Sequence, residues 1–268
     1  MIFDIHTHCF LDKLAAHAIE SLSTNSKGIL AYTDGTLRGT ISKMDEAGIS
    51  GFAVLNISVS PRQQKNVNDF AIKINNYLNR VVAFGSVHPF SINAIEEIDR
   101  LAASGIKGVK FHNEYQNFDI DDEKAYPVYE HCFKSGLCVI FHGGIDLGFD
   151  TPLRASPKKA KNVAKTFKNY KFIMAHFGGY GCCGDVLKYL CDCENVLVDT
   201  SFFRDLATSR VAQTIIDNFG SKRVLFGTDC PWADPKESVK KINALNLKTP
   251  EKQDIFYNNA KCLLNLQN

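Results

Sequence analysis

At 268 residues the chain is long for an ordinary domain but normal for a single α/β barrel, and no linker or low-complexity tract divides it. Its 45% hydrophobic and 22% charged residues suit a globular protein with a large core, and a net charge of +2 without a basic, aromatic-interleaved stripe gives no sign of a nucleic-acid partner. Nine cysteines, odd in number and scattered over core and loop positions, read as reduced thiols; with no signal peptide before Met1 and no apolar run near the roughly 20 residues of a membrane span, a soluble cytoplasmic protein is expected.

The chain starts with the apolar run Met1-Ile2-Phe3, which leads into Asp4-Ile5-His6-Thr7-His8. On a strand alternate side chains share a face, so His6 and His8 project together, as two ligands of one metal ion would. A short helical pattern spans 11–22, and a helix is predicted over 36–47, closed by Gly48. Residues 51–57 form a bounded apolar run, hence a second strand. Helical periodicity over 62–79 leads to a third strand at 81–87. Ser91 is read as the cap of a helix that stops at Gly105, followed by a strand at 108–112; a helix over 122–135 leads to a strand at 138–142. Ser156-Pro157 opens a basic helix before a strand at 172–176. Helices near 185–191 and 208–218 precede strands at 196–199 and 224–229, and Thr249-Pro250 starts a terminal helix.

Eight short apolar strands alternating with helical patterns, about 25 to 50 residues apart, are the pattern of a parallel (β/α)₈ TIM barrel, read as one domain over 1–268. A doubly wound sheet is the runner-up, weakened because no G-x-G-x-x-G follows the first strand. In a parallel barrel all strand ends reach one face. His6 and His8 end the first strand, Lys110 and His112 the fourth, His142 the fifth, His176 the sixth and Asp229 the eighth. One such histidine is ordinarily a rim residue; recurrence at equivalent ends marks a site. Cys182-Cys183 with Cys191-Asp-Cys193 lacks C-x-x-C spacing, so no structural zinc is read there, although the first pair follows a site strand.

Asp4-x-His6-x-His8, His142-Gly-Gly, His176-Phe-Gly-Gly, Thr228-Asp229-Cys-Pro231 and the closing Asn259-Ala260-x-x-Leu263 stretch resemble the amidohydrolase superfamily, in particular the amidohydrolase-2 branch that includes aminocarboxymuconate-semialdehyde decarboxylase. The resemblance implies that His6, His8, His142 and Asp229 are metal ligands. It makes His176 and Asp229 the catalytic pair, Asp229 taking a proton from metal-activated water and His176 stabilising an oxyanion or shuttling a proton. Three imidazoles and a carboxylate suit Zn2+, with Mn2+ or Fe2+ as alternatives, one ion per chain. A second ion would need Lys110, carbamylated, as a bridge; the Lys-x-His pair instead resembles the single-metal branch, where such residues bind substrate.

Lys110, His112 and Arg204, with Arg154, are cationic or polar groups at strand ends or the loops beyond, fitting a carboxylate-bearing small molecule. Phe177, Phe202, Phe203, Tyr115 and Trp232 are candidates for an apolar wall. The preferred reading is a metal-dependent hydrolase of an amide, lactone or related bond. The alternative is a lyase, performing non-oxidative decarboxylation of an unsaturated or aromatic acid. A third, a non-catalytic binding scaffold, is opposed by the complete ligand set. A homodimer through the outer helices is compatible, though no residue pattern marks the face.

Overall fold

The computed structural model describes residues 1–150, 152–203 and 206–266. Among these, eight parallel strands pair in sequence order: β1 Phe3–Thr7, β2 Gly51–Leu55, β3 Val81–Gly85, β4 Gly108–Phe111, β5 Cys138–Phe141, β6 Phe172–Met174, β7 Val196–Asp199 and β8 Val224–Leu225. Closure between β8 and β1 is made by backbone bonds, with Ile5 donating to Phe226, Asp229 to His6 and His8 to Cys230. This is the expected (β/α)₈ barrel. Around it run α1 Asp12–Asn25, α2 Leu37–Glu46, α3 Gln64–Ile74, α4 Ala94–Ala103, α5 Asn113–Gln116, α6 Tyr126–Lys134, α7 Pro157–Thr166, α8 Cys183–Tyr189, α9 Leu206–Phe219, α10 Pro235–Ala244, α11 Thr249–Gln253 and α12 Asn259–Leu264.

Strand alternation sorts the apolar side chains into two cores. Val109, Val139, Phe141, Phe172, Met174, Val196 and Val198 face outward to the helices. Phe3, Ile5, Leu55, Phe84, Ile140, Ile173 and Leu197 fill the barrel interior, each buried side chain contributing about 1.5–3 kcal/mol. The terminal helix closes the floor: Ala260 and Leu264 join that inner layer, and Phe226 N–H bonds Ile255 O at 2.9 Å. One turn of that helix, Asp254–Asn258, is π-helical.

Local departures have local causes. The helix expected over 62–79 stops at Ile74, because the Asn75 side chain accepts from Ala83 N and donates to Gly105 O, and a 3-10 turn, Tyr77–Asn79, follows. Ser91 does not cap α4; its carbonyl closes a turn onto Ala94 N, where the helix begins. Thr36 and Ser156 do cap, accepting from Gly39 N and Lys159 N. All nine cysteines are free thiols, and no described helix is long and apolar enough to cross a membrane.

Candidate active site

At the C-terminal ends of β1 and β8, His6 Nε2 and His8 Nε2 lie 3.4 and 3.2 Å from Asp229 Oδ1. The register of β1 against β2 slips between Asp4 and Thr7, and Asp4 pins the slip by accepting from His6 N, Thr228 N and Thr228 Oγ1. Both rings are oriented through Nδ1: His6 lies 2.7 Å from Asp199 Oδ2, and His8 donates to the Leu55 carbonyl at 2.8 Å. Burial, aided by Lys110, lowers the His6 pKa to about 3, so this ring is neutral. Asp229 is ionised: burial opposes this, but the His8 contact and the neighbouring His6 and His176 bring its pKa down to about 2. The bare nitrogen of His6, the His8 ring and a carboxylate therefore face one another, and His6 Nε2 is buried without a hydrogen-bond partner among the described residues. Such a donor set fits a divalent cation.

A second run of hydrogen bonds crosses the barrel mouth. Asp199, ending β7, takes the backbone N–H of His176 at 2.9 Å, that of Ser201 at 3.0 Å and the Ser201 hydroxyl on Oδ1. Ser201 Oγ lies 2.8 Å from His176 Nδ1, and His176 Nε2 lies 3.1 Å from His142 Nδ1. Burial alone would raise the Asp199 pKa, but His6, His176 and the Ser201 hydrogen bond hold it well below the usual carboxylate range. His176 and Asp229 both occupy left-handed backbone, φ 58° and 69°, conformations that concentrate at functional sites.

His112 stacks on His142 with ring centroids 4.2 Å apart, and its Nε2 meets Asp146 Oδ2 at 3.1 Å. Among the described residues, three groups bring potential metal-binding atoms within 4.8 Å of one another: His6 with His8 and Asp229, His6 with His176 and Asp199, and His112 with His142 and Asp146. The His142 Nε2 atom is buried with no hydrogen-bond partner among the described residues. So is Lys110 Nζ, on a residue 1% exposed, and burial lowers its pKa to about 8.

These groups open into a cavity of about 520 Å³ with mainly apolar walls. His6, His8, Lys110, His112, His142, His176 and Asp229, each expected from sequence, all line it. Of the aromatic candidates, Tyr115, Phe202 and Trp232 line the cavity, whereas Phe177 and Phe203 pack edge to face in the outer core. Arg154 bonds Asn117 and pairs with Asp119 away from the cavity. Arg204 lies outside the described residues. Cys182 and Cys183 are not in the cavity wall. Asp199, Ser201 and Asp146 were not anticipated; Asp199 alone carried a signal, as a carboxylate ending an apolar strand. The stripe Leu11, Leu14, Ala18 and Leu22, at helical spacing, also faces the cavity instead of a core.

A parallel barrel carrying a buried His/Asp cluster at its strand ends defines a class of barrel enzymes that hold a metal there. The amidohydrolase family model matches residues 32–266, and the chain belongs to that metal-dependent family. No curated protein matches the sequence. Among solved structures, an uncharacterised TIM-barrel protein from Bordetella bronchiseptica superposes with a TM-score of 0.81 at 18% identity, covering 99% of this chain and 98% of that one. A 2,6-dihydroxybenzoate decarboxylase from Rhizobium gives 0.74 at 16%, covering 99% and 98%. A dihydroxybenzoic acid decarboxylase from a Polaromonas species, crystallised with manganese and the inhibitor 2-nitroresorcinol, gives 0.74 at 15%, covering 99% and 97%. At these identities the likeness establishes a shared fold.

Proposed function

We propose that the protein is a metal-dependent decarboxylase of a small aromatic or otherwise unsaturated carboxylic acid. The observation that carries this is Lys110: a buried ammonium, without a hydrogen-bond partner among the described residues, at the wall of a largely apolar cavity beside the His/Asp cluster. A lone cation in an apolar chamber suits an acid whose remaining surface is apolar. The decarboxylases of dihydroxybenzoates among the structural neighbours support the same class.

A divalent ion held by His6, His8, His142 and Asp229 supplies a Lewis-acidic centre when bound. Lys110 Nζ binds and orients the substrate carboxylate. Tyr115, Phe202 and Trp232 exclude water, so the localised carboxylate charge is poorly solvated while the more delocalised transition state loses less. The bond to the carboxyl carbon breaks, carbon dioxide leaves, and the electron pair stays on the substrate carbon. Asp229, ionised in the free site, takes a proton from a substrate hydroxyl or from water and returns it to that carbon.

Hydrolysis of an amide or lactone, preferred from sequence, is the second reading, since an ionised Asp229 equally suits deprotonation of attacking water. The test uses full-length protein with Mn2+ or Zn2+ in deuterium oxide, against hydroxybenzoates, unsaturated acids and their amides or lactones, followed by NMR. Carbon dioxide release with deuterium at the vacated carbon is expected. Acid formation without carbon dioxide overturns the proposal in favour of hydrolysis.

A further inference from the structure

We infer, on the reading of the site as one for an aromatic or unsaturated acid, that this acid carries an apolar substituent on the side away from its carboxylate, and that the cavity-facing stripe of α1 is the subsite that holds it. Leu11, Leu14, Ala18 and Leu22 all line the chamber. At 1.5 Å per residue they make a wall about 16 Å long, starting three residues after His8. A single benzoate ring is shorter than that wall, so a ring whose carboxylate meets Lys110 leaves much of it uncovered. The volume agrees: about 520 Å³ falls within the range of about 300–1,000 Å³ that encloses ligands well above the size of a hydroxybenzoate.

The chamber is divided by chemistry. Its lysine and carboxylates are Lys110 on β4, Asp146 in the loop after β5 and Asp229 beyond β8. Neither α1 nor α3 contributes such a group to the lining, and α3 adds Val67 and Phe70, three apart on one helical face. Leu14, Val59 and Ile145 line the space at 49%, 38% and 40% exposure, so apolar surface stays in water there in the free protein. Removing it from water is favourable in proportion to the area covered. A ligand with a charged head and an apolar tail satisfies both halves with one covalent frame. The stripe opens into a concavity continuous with the charged site, which favours a substituent of the substrate over the flat face of another protein.

The test is a ladder of 4-alkyl-2-hydroxybenzoates, methyl to hexyl, titrated by calorimetry into the full-length, Mn2+-loaded protein, with carbon dioxide release measured separately on the same compounds. Each added methylene is expected to tighten binding about two- to fourfold, so that the hexyl compound binds at least about 30-fold more tightly than the methyl compound. Leu14→Asp places a charge on the stripe at a position exposed enough for the fold to tolerate it, and should cut that ratio below about 5. Ala18→Phe, which fills the chamber instead of charging it, should do the same. Leu30, 76% exposed, is outside the chamber wall, and Leu30→Asp should keep the wild-type ratio.

A ladder that is flat in the wild type overturns the inference. So does a steep ladder unaltered by both α1 variants, and so does loss of a dimer in sedimentation of those variants with the ladder unchanged, which assigns the stripe to a second copy of the chain. Binding needs no turnover, so the subsite and the reaction fail separately. A steep, α1-dependent ladder without carbon dioxide release keeps the subsite and removes the decarboxylase reading; carbon dioxide from the methyl compound with a flat ladder does the reverse.

Discussion

Lys110 serves the two readouts of this protein in opposite senses. Burial lowers its pKa from 10.5 to about 8, so carrying the charge at neutral pH costs the fold on the order of 3 kcal/mol. Lys110→Met, which fills the same space without a charge, should therefore raise the melting temperature, while kcat/KM for a carboxylate falls at least 100-fold; calorimetry and steady-state kinetics on the same preparation check both. The pH signs also diverge. Below about 8 the free site holds an ammonium, so kcat/KM should fall as pH rises through about 8. Between about 8 and 10.5 the folded protein binds fewer protons at this residue than the unfolded chain, so its contribution to stability rises with pH. Both dependences should be absent from Lys110→Met, and kcat/KM and denaturant midpoints across pH 6–10 measure them. Lys110 was legible because β4 alternates and a cation in an inward position has no packing purpose. Ser201 was not: one hydroxyl in a loop looks like any other until the partners it bridges are in place.

Among the elements, the glycines of His142-Gly-Gly and His176-Phe-Gly-Gly explain each other. The two loops lie backbone to backbone, with Tyr180 N bonding Gly143 O and Ile145 N bonding Tyr180 O. Gly144 sits at φ 81°, and a Cβ there would fall 2.4 Å from both N and O of Tyr180. Gly144→Ala should thus cost about 3 kcal/mol or more, and should lower activity by moving the loops that carry His142 and His176. Gly184, in α8, has open space around its Cβ position, and Gly184→Ala should leave stability unchanged or raise it by up to about 1 kcal/mol. Thermal or urea unfolding of the pair separates the two mechanisms, since the same substitution acts with opposite sign. The motifs were visible in the sequence only as a resemblance; their physical reason, two backbones in contact, is a tertiary fact. Strand positions were far easier to read, because a short β-rich run bounded by turn residues has few other uses in an alternating chain. Helix ends went wrong where a side chain such as Asn75 found partners on other elements and stopped the periodic pattern early.

At the scale of the whole molecule, the barrel was legible because eight strands with polar ends admit few other architectures, whereas the cavity was not, since its wall borrows α1. The apolar stripe of α1 satisfies the same periodicity whether it meets a core or an empty chamber, and only the folded chain distinguishes them. The price of that arrangement is a site of buried acceptors: His6 Nε2, 3.4 Å from the Asp229 carboxylate, and His142 Nε2 have no hydrogen-bond partner among the described residues. A cation that binds the native site and not the unfolded chain stabilises the fold by mass action, about 2.7 kcal/mol at a hundredfold excess over its dissociation constant. For a chain of this size that corresponds to a rise of about 5–10 °C in melting temperature. Wild type stripped by a chelator and reloaded with Mn2+ or Zn2+ should show this shift in differential scanning calorimetry. His142→Ala should lose most of it while folding normally, because removing one ring leaves the barrel core of Ile140 and Ile173 intact. If stripped and loaded wild type melted together, these buried acceptors would not be a metal site, and the stability they cost the barrel would have to be recovered by the bound substrate alone.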